Sequence, residues 1–159
     1  MSRIDVNKTY KLFIGGAFPR SESGRVYEVK GADKKFLANP AMASRKDLRE
    51  SVVAAKNSYL GWSNATAFNR GQILYRIAEI MQGRSEQFVS EICALEGLSS
   101  KAAAAQVEEA IDTWVWYSGW CDKLSSVTGS LNQVSGPFYN FTTPESLGVI
   151  AVFAENKPS

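Results

Sequence analysis

Cys93 and Cys121 are the only thiols in this chain of 159 residues, and there is no histidine. A cysteine nucleophile works as the thiolate, which is usually raised by a neighbouring imidazole or cation. The absence of histidine removes the Ser/His and Cys/His pairs, the imidazole base and most zinc sites together. The two cysteines lie far apart and belong to no metal or redox motif, so reduced, buried thiols are expected. The other chemically suggestive stretch is "WVWYSGWCDK", Trp114 to Lys123, which holds three of the four tryptophans. Clustered aromatics build quaternary-ammonium cages, anchor membrane-surface helices, or pack a core.

A helical wheel separates these uses. Val107, Ile111 and Trp114 fall on one face, Trp116 and Trp120 on another, and Tyr117 between them. A cage needs aromatics converging from several elements, and a membrane-surface helix keeps a basic face that this stretch lacks. A helix end apolar nearly all round is expected to be buried. On that reading, truncating Trp116 or Trp120 costs roughly 3–5 kcal/mol.

The elements that must position these residues follow from pattern. "YKLFI" ending in Gly15-Gly16, then "SESG" at 21–24 and "RVYEV", predict strands joined by tight turns. "FLANPA" at 36–41 is a short extended piece ended by Pro40. Ser44 and Asp47 form an S-x-x-D cap for a helix whose expected apolar face is Leu48, Val52, Ala55 and Tyr59, ending at Gly61-Trp62. A second helix is predicted over about Asn69–Gln82, with Ile73, Ile77 and Ile80 marking its buried face, Leu74, Ala78 and Met81 beside them, and Gly83 as its C′ residue. A third carries Phe88, Ile92 and Leu95 and stops at Gly97. A fourth runs from Ser99 or Ser100 to about Lys123. Beyond Leu124 the chain reads as strands with turns at Gly129, Gly136 and Pro144. The continuous apolar run "LGVIAVFA" (147–154) has the signature of a strand covered on both faces, as in a parallel sheet. Such a strand needs partners and crossover units, so the sequence is expected to be part of a larger fold.

Bulk properties exclude other classes. Hydrophobic content is 45%, charged content 21% and net charge +2, with scattered basic residues and no nucleic-acid footprint. No apolar run approaches the ~18 residues of a membrane span. The N-terminus has no apolar signal core, so the cytoplasm is the expected location, and the Asn-x-Thr triplets at Asn7, Asn64 and Asn140 are chance matches.

Five segments, which fall in the same order along the chain, resemble the aldehyde dehydrogenase superfamily. "WYSGWCDK" is similar to "YYAGWADK". "YKLFIGGAF" resembles "lyIgGkW", and "SGRVYEVKG...FLANPA" resembles "sGktfev.nPatg". "SRKDLRESVVAAKNSYLGWSNATAFNRGQILYRIAEIM" resembles "edvd.AV.aAr.Af..W......R..iL.kiAdll". "TPESLGVIAVFAENKPS" resembles "..PlGVvg.I.PWNfP". The resemblance implies an α/β fold, the N-terminal part of a Rossmann-type domain. Its parts would be a β-hairpin, four helices, oligomerisation-type strands at about 129–145 and the first strand of the cofactor sheet. Residues 1–159 would form an incomplete N-terminal half of an NAD(P)-binding domain, partnered by the remainder of the fold and forming a homo-oligomer, with no nucleic-acid or membrane partner.

The family oxidises small aldehydes through a cysteine thiohemiacetal, with NAD or NADP as acceptor. A glutamate activates the deacylating water, and a backbone N–H with the asparagine of "PWN" forms the oxyanion hole. The catalytic cysteine, the glutamate and the glycine-rich cofactor turn have no counterpart in these 159 residues, so the chain alone is expected to be inactive and to bind no cofactor unaided. Phe153, Ala154 and Asn156 occupy the cofactor-side positions. Counted without gaps, Glu155 stands at the motif's proline, Asn156 at its tryptophan and Lys157 at its oxyanion asparagine. With a one-residue deletion, Asn156-Lys157-Pro158 matches Asn-x-Pro instead. Asn156 and Lys157 are thus the oxyanion-position candidates. Two functions follow: the N-terminal segment of a dehydrogenase, or a divergent non-catalytic member acting as an assembly or scaffold partner.

Overall fold

The computed structural model describes residues 9–154. The first turn forms as its glycines dictate. Gly15 and Gly16 take φ of 59° and 81°, the paired positive values of a two-residue hairpin turn, and Ile14 bridges Ala17. "YKLFI" therefore folds back on "AFP", with the Leu12 N–H donating to Pro19 O at 3.1 Å. A second antiparallel pair joins β1 (Val29–Lys30) to β2 (Phe36–Ala38), extended by a bridge between Val26 and Ala41.

Four helices follow: α1 (Arg45–Ser63), α2 (Ala67–Gly83), α3 (Ser85–Glu96) and α4 (Ser100–Trp120). Ser44, Thr66 and Ser99 cap α1, α2 and α4 by accepting first-turn N–H groups. Gly97 ends α3 in the left-handed region at φ 71°. Gly83 does not act as a C′ residue. It is the last residue of α2, and only Arg84 separates α2 from α3.

The core lies where α4 meets α2 and α3. Ala78, Val107 and Ile111 are buried, with Met81, Phe88, Val89, Ile92 and Trp114 packed around them. The buried face of α2 is rotated from the isoleucine stripe: Leu74, Ile77, Ala78 and Met81 turn inward, while Ile73 and Ile80 are half exposed. The small residues Gly71 and Ala78 set this rotation by letting α4 approach. A Cβ on Gly71 would stand 3.0 Å from Ser118 O and 3.6 Å from Cys121 Cβ.

Two expectations of burial are corrected. On α1, Leu48 is 62% exposed and Val52 and Ala55 are exposed, leaving only Tyr59 half-buried. Among the described residues this face is only partly covered, Val52 keeping 45% of its surface exposed. At the end of α4, Trp116 is 56% exposed and Tyr117 is also exposed. They pack on their own helix, Trp116 lying 4.9 Å from Tyr117 and 5.4 Å from Trp120 between ring centroids. The helix end is thus an exposed aromatic ridge, with Trp114 alone reaching the core cluster.

Beyond α4 a short helix unforeseen in the sequence, α5 (Leu124–Thr128), precedes a ribbon of β3 (Ser130–Asn132) and β4 (Asn140–Thr142), paired Leu131 to Phe141. The ribbon lies within the 129–145 span. The apolar run 147–154, expected as the first strand of the cofactor sheet, has no ladder partner among the described residues and carries no strand. A strand exists only through its pairing. No helix in the described residues is long and apolar enough to cross a membrane.

Candidate functional site

Both thiols, expected to be buried, are only half-buried. Cys93 lies on α3 in an open groove of about 490 Å³ shared with Gln82, Ser100 and Ala104. Cys121 follows the last turn of α4, where its thiol donates to Tyr117 O at 3.5 Å. It borders a cleft of about 660 Å³ between α2 and the end of α4, and another of about 590 Å³ beside α1. The cations on the first cleft are already engaged: Arg76 with Glu79 at 2.9 Å, and Lys123 with Asp122 at 3.0 Å. These two cations are thus held by carboxylates rather than by sulfur. No group of three His, Cys, Asp or Glu side chains that could hold a metal occurs among the described residues.

The most tightly organised polar cluster is built on Asp47, which is 4% exposed. Its Oδ2 accepts from the Ser44 N–H and the Ser21 hydroxyl, both at 2.8 Å, and its Oδ1 accepts from the Glu22 N–H at 3.2 Å. The Ser44 N–H, then the Ser21 hydroxyl, hold the carboxyl down to about 2 against its ordinary 3.8. A carboxylate with its oxygens so occupied is a poor proton acceptor. Its work is to pin the "SESG" turn to the start of α1. The S-x-x-D signature in the sequence locates this residue as a cap, and the contacts with Ser21 and Glu22, 26 and 25 residues away, are what it leaves out.

Phe153 and Ala154 stand at the end of the exposed run, Phe153 at 93%. Asn156 and Lys157 lie outside the described residues. A hydrogen bond to the residue before the run comes from a side chain that the sequence marks only as part of an apolar stripe. The Tyr59 hydroxyl lies 2.6 Å from Ser146 Oγ and donates to Ser146 O at 3.4 Å.

The family model described as "Aldehyde dehydrogenase family" matches residues 18–155. The chain belongs to the aldehyde dehydrogenase family. Among relatives of this aldehyde dehydrogenase-family chain, human mitochondrial 10-formyltetrahydrofolate dehydrogenase is 30% identical over 162 residues, covering 96% of the chain and 17% of the relative. Two solved structures share its fold. A salicylaldehyde dehydrogenase from Pseudomonas putida G7, complexed with salicylaldehyde, superposes with a TM-score of 0.80 at 19% identity, over 87% of this chain and 28% of that one. Betaine aldehyde dehydrogenase from Staphylococcus aureus, in complex with NAD+, superposes at 0.75 and 17% identity, over 80% and 26%. The chain spans about a sixth of the length of the formyltetrahydrofolate dehydrogenase, so the aldehyde dehydrogenase fold extends well past what these residues supply.

Proposed function

We propose that this chain forms the N-terminal helical layer of an NAD(P)-dependent aldehyde dehydrogenase-like oxidoreductase of the cytoplasm, converting a small aldehyde to its carboxylate, and that the reacting groups come from outside it. The observation that carries this reading is the division of its surface. The α2–α4 layer is packed, while the α1 face, the ribbon and the 147–154 run expose Leu48, Val52, Leu60, Phe141, Leu147 and Phe153. Isolated soluble domains rarely leave apolar area on this scale uncovered. The remainder of a dehydrogenase fold would cover the helix face and pair the run. The β3–β4 ribbon would serve homo-oligomer contacts, and Phe153, Ala154 and Asn156 would lie on the cofactor side. Family members take NAD or NADP, and no glycine-rich phosphate turn lies in these residues to hold either alone.

The alternative, a non-catalytic scaffold member, is favoured by one sequence feature. In the ungapped alignment Lys157 replaces the oxyanion asparagine, exchanging a neutral amide donor for an ammonium.

The purified chain, given NAD+ or NADP+ and a panel of aldehydes, is expected to produce no NADH or NADPH. Aldehyde-dependent turnover would overturn the assignment of the chemistry to other residues. Reading the coding sequence past Ser159 separates the two functions. A cysteine in a glycine-rich Gly-Gln-x-Cys setting supports the dehydrogenase, and its absence supports the scaffold.

A further inference from the structure

The run 147–154 poses a problem of register. Strands with one buried face are fixed by alternation, because a slip of one residue turns every side chain to the wrong side. "LGVIAVFA" is apolar at every position, so its own pattern selects no register. An anchor just ahead of it is needed to set which residue faces which side.

Among the described residues, one side chain from the helical part reaches this segment by hydrogen bond. The Tyr59 hydroxyl holds Ser146 through both its Oγ, at 2.6 Å, and its carbonyl, at 3.4 Å, across 87 residues of sequence. Tyr59 is half-buried near the C-terminal end of α1 and lines the same cleft as Pro144, Glu145 and Ser146. Two residues after the tether, within the run, Gly148 takes φ 92°, a conformation that lets the chain turn there. In the motif that this helix resembles, "AV.aAr.Af..W", the position of Tyr59 carries a phenylalanine, so the hydroxyl is an addition on an otherwise apolar site.

We propose that Tyr59 is a positioning residue: its hydroxyl fixes Ser146 and thereby the entry and register of the 147–154 run, ahead of the positions assigned to cofactor and oxyanion. The proposal rests on the dehydrogenase-layer reading for its purpose but not for its test. The test is backbone 15N relaxation on the full chain, comparing Tyr59→Phe and Ser146→Ala with the parent. Tyr59→Phe restores the motif residue and keeps the ring, and Ser146→Ala alters only an exposed loop residue, so one variant can stand in should the other fail to fold. The expected result is a fall in order parameter at Ser146–Val149 from about 0.85 towards 0.6 or below in Tyr59→Phe. The fall should be smaller in Ser146→Ala, which keeps the carbonyl contact, and the double variant should add nothing beyond Tyr59→Phe. Resonances of α2–α4 and the thermal midpoint should not move. Unchanged order parameters in Tyr59→Phe, or a loss spread through α1, would overturn the clamp while leaving the family and layer reading intact. NADH production by the chain would strike the layer reading and leave the clamp standing.

Discussion

Truncating Trp116 should cost less than truncating the much smaller side chain of Ile111. Ile111 is 7% exposed and sits in the α2–α4 core with Ala78, Val107 and Phe88. Ile111→Ala removes three carbons, worth about 2.4 kcal/mol at ~0.8 kcal/mol per buried group. A residual cavity of roughly 60 Å³ adds about 1.4 kcal/mol at ~24 cal/mol per Å³. The gain in helix propensity offsets about 0.4 kcal/mol, leaving about 3–4 kcal/mol. Trp116 is 56% exposed, so about 44% of its surface is covered. Taking roughly 250 Å² for a tryptophan, that is about 110 Å², or at most ~2.7 kcal/mol. Partial burial in the denatured chain and the propensity gain reduce this to about 1–2 kcal/mol. The assay is urea unfolding followed by circular dichroism, with slopes compared to confirm that the same transition is measured. A Trp116→Ala cost equal to or above that of Ile111→Ala would refute the exposed-ridge description and restore a buried helix end.

Acid should weaken the link between the N-terminal turn and α1. Asp47 titrates at about 2 when folded, below its unfolded value of about 3.9. Its ionised form therefore favours the folded state above about pH 4, and that contribution is lost as pH falls towards 2. Asp47→Asn should lower the urea midpoint at pH 7, and the gap to the parent should narrow below pH 3; a gap independent of pH would refute the assignment. Gly97→Ala should destabilise by about 1–3 kcal/mol in the same assay, because a side chain there is strained at φ 71° and its Cβ would stand 2.8 Å from Ala32 Cβ. Gly83→Ala, helical and with nothing within 4 Å, should stabilise by about 0.5–1 kcal/mol. Equal effects at the two glycines would show that the left-handed cap is not what Gly97 supplies.

Local chemistry was legible in the sequence and long-range partnership was not. Ser44, Ser99, Gly15-Gly16 and Gly97 act over a few residues, and each does what its type requires. The face of a helix depends on what lies across from it. Ile73 and Ile80 read as core because they are apolar at helical spacing, but α4 settles over Gly71 and Ala78, and the isoleucines turn outward. The α1 stripe and the tryptophans fail for a related reason: apolar pattern states what a residue would gain by burial, not whether a neighbour is present to bury it. Phe153 and Ala154, expected on the cofactor side, end the apolar run and are exposed in the structure. The sequence bore no sign of Tyr59, whose hydroxyl is invisible to a hydrophobic periodicity.

The surface of the chain ties these exceptions together. It exposes 13079 Å², against about 7,900 Å² for a compact monomer of 17.4 kDa. The surplus is not spread evenly. Around α2, α3 and α4 the packing is that of an ordinary small core. Around α1, polar contacts stand in for packing: the Ser21–Asp47 bond at its start and the Tyr59–Ser146 bond near its end. Directional bonds of this kind fix an element's orientation and stabilise it at a few points, while apolar burial supplies stability with little direction. An α1 fixed at both ends by hydrogen bonds but bare along Leu48 and Val52 is oriented before it is stabilised. On the proposed reading the covering would come from the rest of an aldehyde dehydrogenase fold: the bonds would set the angle at which the face is presented, and the incoming surface would supply the free energy.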